Sequence, residues 1–138
     1  MKTRITWLED MSYVAQSASG HALVLDGPPE LGGRNLGPRP MELLLMGMGG
    51  CTAVDVVNIL RKTRQDLRGC ELQIESERAD SDPKVFTAIR VHFILTGNKL
   101  SAKHVERAIA LSAEKYCSAS IMLGKTAQIS HSFEIRDG

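Results

Sequence analysis

Alternation of apolar and polar positions with a period of two opens the chain, stops at a stretch rich in proline and glycine, and yields to a long apolar segment of helical character. It then returns twice before the end. Arg4 to Glu9, Tyr13 to Gln16 and His21 to Asp26 read as short strands, with a Ser-Gly turn at 19 and 20, and predict an N-terminal meander. Residues 27–40, GPPELGGRNLGPRP, hold four prolines and four glycines, which excludes helix and strand. A structureless loop of this length in a small domain is often functional, and this one carries Arg34 and Arg39.

From Met41 to Arg64 the pattern is helical but apolar nearly all round, which predicts a helix covered on most sides and closed by Gly69. Cys70 to Arg78 alternates as a strand, "DSDP" at 80–83 turns the chain, and Val85 to Leu95 returns with Val85, Ile89, Val91, Phe93 and Leu95 inward. Ser101 caps a second helix running to Tyr116, whose apolar face is Val105, Ala108, Ile109, Ser112 and Tyr116. Thr126 to Arg136 is a last strand with Ala127, Ile129, His131, Phe133 and Ile135 inside. The order βββ, α, ββ, α, β predicts an α+β fold in a single domain spanning residues 1–138.

Gly47, Gly49 and Gly50 crowd one helical stretch, at roughly 0.5–1 kcal/mol each relative to alanine. Close approach of another backbone or a ligand beside Cys51 would offset that cost. A competing reading starts the helix at Thr52, with Thr52 and Asp55 as a capping box. A helix this apolar also exceeds what one short chain covers, so a homodimer with the helix at its centre is expected.

The 138 residues, 43% of them hydrophobic, can bury a core without metals or disulfides. Seventeen basic and 16 acidic residues leave a net charge of +1, with no field to attract nucleic acid or anionic lipid. The N-terminus MKTRITWLED has no secretory pattern, and the strongest apolar run, Leu43 to Val54, falls short of the ~20 residues of a membrane span, so a cytoplasmic protein is expected. Three cysteines, at 51, 70 and 117, without CxxC spacing indicate neither a disulfide framework nor a zinc knuckle, and no histidine pair has ligand spacing. No metal or cofactor is therefore expected, and any cysteine pair would be a redox couple.

Cys51 and Cys117 each sit near the inward face of a helix, and they could approach disulfide range if the two helices cross there. Cys70, beside Leu72 and Ile74 on a strand, reads as structural. His131, between Ile129 and Phe133, reads as a hydrogen-bonded core histidine rather than a base that activates a thiol.

"GPRPMELLLMGMGGCTAVDVV", followed much later by "AEKYCSAS" with strands before, between and after, resembles the OsmC/Ohr family of osmotically inducible protein C and organic hydroperoxide resistance proteins, over essentially the whole chain. The resemblance implies an intertwined homodimer in which two antiparallel sheets wrap around two central helices, with sites at the dimer interface. It also implies reduction of organic or inorganic hydroperoxides by a peroxidatic cysteine matching Cys51 and a resolving cysteine matching Cys117, regenerated by an external dithiol. Apolar walls would favour small hydrophobic hydroperoxides.

In the family pattern an N-terminal arginine and a glutamate just after a proline polarise the first cysteine. Here that proline matches Pro40 and Met41 takes the glutamate's place, with Glu42 one position later and Arg34 or Arg39 as substitutes for the arginine. On a continuous helix Glu42 lies ~13 Å along the axis from Cys51, whereas Asp55, one turn beyond, would raise that thiol's pKa. Glu42 equally complements the helix dipole. These departures keep a second function open, a binding or redox-sensing protein using the same pocket.

Overall fold

The N-terminal alternation forms three strands, β1 (Thr3–Trp7), β2 (Ser12–Ser17) and β3 (Ala22–Asp26), paired antiparallel in the order β1-β2-β3. Gly20 sits between β2 and β3 with φ +91°, a conformation that favours glycine, as the Ser-Gly turn requires. The computed structural model describes all of residues 1–138 and divides them into two compact units, 1–46 and 47–138.

In the first unit the proline-rich stretch is ordered rather than structureless. Asp26, buried at the end of β3, accepts the Gly27 N–H at Oδ1 (2.8 Å) and the Arg34 and Leu36 N–H groups at Oδ2 (3.1 and 3.2 Å). Burial pushes this carboxyl upward, yet the Leu36, Arg34 and Gly27 N–H groups and the Arg39 charge outweigh it and hold the pKa below the usual value. One short 3-10 turn, Pro29–Leu31, forms inside a segment expected to hold no helix, because an N-terminal proline and Gly32 at φ +98° suit a single turn.

Helix α1 (Pro40–Lys62) begins in the first unit and continues into the second. It is continuous through the glycines, so the start at Thr52 does not occur. It ends at Lys62, with Arg64 at φ +59° just beyond, and Gly69, expected to close it, lies inside β4 (Asp66–Arg78) at a register shift between Leu67 and Gly69. Gly49 alone of the three helical glycines is crowded: an added Cβ would stand 2.6 Å from Ile74 Cδ1, while Gly47 and Gly50 face open space. Helix α1 has 23 residues, and an 18-residue stretch of it reaches a mean hydropathy of 1.8, a length and composition that a membrane span and the core helix of a globular protein share. Leu44, Met46 and Val54 on it are exposed.

Strand β4 pairs antiparallel with β5 (Phe86–Asn98), and β6 (Gln128–Asp137) pairs with β5 in parallel. The second sheet is thus mixed rather than antiparallel throughout. The helical connection between β5 and β6 carries the chain back to the starting edge, as a parallel pair requires. Glu77 pairs with Ala88 and Arg78 with Phe86, so Thr87 is left over in a bulge and the side-chain parity of β5 switches there. Phe86 is consequently 4% exposed, and Val85, expected inside, is 37% exposed.

Beyond the bulge Ile89, Val91, Phe93 and Leu95 are buried, as the alternation predicts, each contributing about 1.5–3 kcal/mol. Met48, Val56 and Leu60 of α1, and Val105 and Ala108 later in the chain, are fully buried as well.

Helix α2 (Ala102–Leu111) starts at Ser101, whose Oγ accepts the His104 N–H at 3.3 Å. It does not continue to Tyr116 as one helix. A π-helical turn covers Ser112–Tyr116, Cys117 is extended (φ −78°, ψ 97°), and a short helix α3 follows over Ser118–Leu123. The widened turn leaves Tyr116 50% exposed instead of inward, while Ser112 and Cys117 are fully buried.

Candidate active site

Cys51 and Asp55 stand one turn apart on α1, so their side chains share a face. Cys117 reaches them from the break between the π-helical turn and α3, its own N–H held by the Ser112 carbonyl at 2.8 Å. The two sulfurs and an Asp55 carboxylate oxygen all lie within 4.8 Å of one another, with Cys51 and Asp55 half-buried and Cys117 buried. The two sulfurs thus come close, with Cys117 delivered by the start of α3 rather than by the end of a longer α2. Both thiols are free.

Hydroxyls and amides fill the space around these sulfurs. Thr52 Oγ1 lies 3.2 Å from Cys117 Sγ and 3.3 Å from Ser120 Oγ, and the Ser120 N–H donates to Cys117 Sγ at 3.4 Å. Ser112 Oγ donates to Asp55 Oδ2 at 2.9 Å. Burial pushes the Cys117 thiol up, but the Ser120 and Thr52 hydroxyls, the Ser120 N–H and the Cys51 thiol together hold it below the ordinary value. The Ala119 N–H favours a Cys51 thiolate; burial, the neighbouring Cys117 and the Asp55 charge outweigh it and raise the Cys51 pKa. The surroundings thus favour negative charge on Cys117 over Cys51.

The other candidate residues have partners of their own. Arg34 pairs with Asp10 at 3.2 Å and Glu9 at 3.4 Å, all three exposed, and these carboxylates raise its pKa. Arg39 Nη1 donates to Asn35 Oδ1 at 2.8 Å, and Glu42 Oε1 accepts the Arg39 N–H at 2.8 Å, which satisfies a free amide at the start of α1. Cys70 is half-buried in β4, and burial alone pushes its thiol up. His131 is not hydrogen-bonded as expected: its Nε2 is buried without a partner, its ring centroid lies 6.2 Å from that of Phe93, and burial lowers its pKa.

Three contributors escaped the sequence reading. Thr52 passed for a helix cap, Ser112 for one more member of an apolar face, and Ser120 carried no assignment at all. A hydroxyl at the apolar-face position of Ser112 was the available signal, since a buried hydroxyl needs a partner.

The profile of the family described as OsmC-like protein matches residues 32–132. Protein YhfA of Escherichia coli strain K12 is 47% identical over 135 residues, 98% of each chain. Among solved structures, a hypothetical protein from Aquifex aeolicus VF5 superposes with a TM-score of 0.88 at 26% identity, covering 99% of this chain and 96% of that one. A Legionella pneumophila structure described as an organic hydroperoxide resistance protein OsmC shares the fold, with a TM-score of 0.68 at 18% identity over 96% and 95% of the two chains. With its two cysteine motifs gathered at one point of this fold, the chain belongs to the OsmC-like protein family.

Proposed function

We propose that this chain reduces organic hydroperoxides with Cys51 as the attacking thiol and Cys117 as the resolving thiol. The observation that carries the reading is the meeting of the two sulfurs from separate helices, the accessible one on α1 and the buried one at α3. The organic hydroperoxide resistance named for the Legionella structure supports the substrate class.

The pair manages its own protons. Cys51 passes its proton to the Cys117 thiolate and attacks the peroxide: an S–O bond forms, the O–O bond breaks, and the leaving alkoxide takes the proton from Cys117 to become an alcohol. Cys117, again a thiolate, attacks the Cys51 sulfenic acid; the S–S bond forms and hydroxide leaves, protonated from solvent to water. An external dithiol then reduces the disulfide, and no bound cofactor takes part.

The functional unit in this reading is a homodimer, acting in the cytoplasm, whose second copy covers Leu44, Met46 and Val54 of α1. Replacing Cys51 by serine should abolish peroxide consumption, and Cys117→Ser should trap or overoxidise the sulfenic acid; unchanged turnover in Cys51→Ser contradicts the proposal. The raised Cys51 pKa favours a second reading, a slow redox sensor or ligand-binding member of the family. That reading predicts a stoichiometric response with no sustained turnover when dithiol is supplied.

A further inference from the structure

We propose that the reduced protein binds a thiophilic divalent cation, Zn2+, through Cys51 Sγ, Cys117 Sγ and one Asp55 carboxylate oxygen. The three ligand atoms lie within 4.8 Å of one another. Zinc bonds of about 2.3 Å to sulfur and about 2.0–2.2 Å to oxygen place tetrahedral ligands about 3.4–3.8 Å apart, so small side-chain rotations close this triangle around an ion. Cys51 and Asp55, four residues apart on a regular helix, present their donors side by side, the spacing by which helices chelate zinc elsewhere.

The surroundings are those of a supported site. Ser112 Oγ holds Asp55 Oδ2 at 2.9 Å and orients the carboxylate, as the outer partners of metal ligands do. Thr52 Oγ1 and the Ser120 N–H fix the Cys117 sulfur from behind. Cys51 and Asp55 are only half-buried, and three protein ligands leave the fourth position to water. Two sulfur donors select zinc over magnesium or calcium.

Loading consumes both thiols: Zn2+ displaces whatever protons the pair still carries as the two thiolates and the carboxylate bind. A hydroperoxide must then win the same two sulfurs. One hydroperoxide and two protons convert the zinc dithiolate to a disulfide, an alcohol, water and free Zn2+, the sulfurs losing the two electrons the peroxide gains. The ion therefore shields the pair, and oxidation releases it. Only this competition rests on the peroxidase reading; zinc binding itself does not.

The test is titration of the reduced, metal-free, full-length protein with Zn2+ against a chromophoric chelator, with Co2+ as a spectroscopic probe of thiolate ligation. One ion per chain is expected. Asp55→Asn should weaken binding about tenfold or more and Ser112→Ala about tenfold, while Cys51→Ser and Cys117→Ser abolish it. On the unmodified protein, Zn2+ should protect Cys51 and Cys117 from iodoacetamide while Cys70 alkylates at its metal-free rate. Undiminished affinity in Asp55→Asn, or no selective protection of the two thiols, overturns the proposal. Disulfide formation by hydroperoxide in metal-free protein is measured separately, and its failure counts against the peroxidase alone.

Discussion

Thr52 Oγ1 of α1 lies 3.2 Å from Cys117 Sγ, so a hydroxyl one residue beyond the first cysteine serves the second. With the Ser120 N–H it makes the buried sulfur the better place for negative charge, while burial, Cys117 and Asp55 raise the pKa of the more accessible Cys51. Charge and access are thereby divided between the two thiols.

Removing that hydroxyl tests the division. Thr52→Val keeps shape but deletes one donor to Cys117, so the pH at which Cys117 alkylates should move up, at a cost in stability of about 1 kcal/mol. Alkylation followed by peptide mass spectrometry across a pH series reads this directly. An unmoved Cys117 profile means that the hydroxyl does not support the thiolate.

The open glycines report on the dimer. Gly47 and Gly50 face empty space in one chain, so on helix propensity alone alanine at either should stabilise by roughly 0.5–1 kcal/mol. If a second copy packs along α1, the added methyl meets that copy, and Gly47→Ala or Gly50→Ala should weaken dimerisation in sedimentation at low concentration. A raised Tm with unchanged association would place the partner elsewhere.

His131 gives the fold a pH dependence with a definite sign. Its folded pKa is lowered by burial, so the folded chain binds this proton less readily than the unfolded chain. The full stability is present above the unfolded value near 6.5 and declines as pH falls below it. His131→Leu should flatten that decline between pH 7 and pH 5 in urea unfolding. An identical slope in the variant assigns the decline to other groups.

The elements whose periodicity is set by one buried face were legible: the meander, α1, the start of α2 at Ser101 and the alternation of β6 follow from residue order alone. What was not legible turns on single residues that change a local geometry. The bulge at Thr87 exchanged Phe86 for Val85 inside. The π-helical turn over Ser112–Tyr116 moved Tyr116 out and delivered Cys117 to the start of α3.

The cysteine pair was readable from its motifs, but its hydroxyl surroundings were not, because serine and threonine mean little until their burial is known. Asp26 hid in the same way: nothing in "LVLDGPP" distinguishes a loop-ordering carboxylate from a strand-end residue.

Mass spectrometry of metal-free reduced protein after one equivalent of cumene hydroperoxide is the most direct measurement. The expected product within the chain is a Cys51–Cys117 disulfide, formed rapidly, reversed by a dithiol, and accompanied by an unmodified Cys70. Persistence of both thiols, or oxidation that falls on Cys70 instead, would contradict the account.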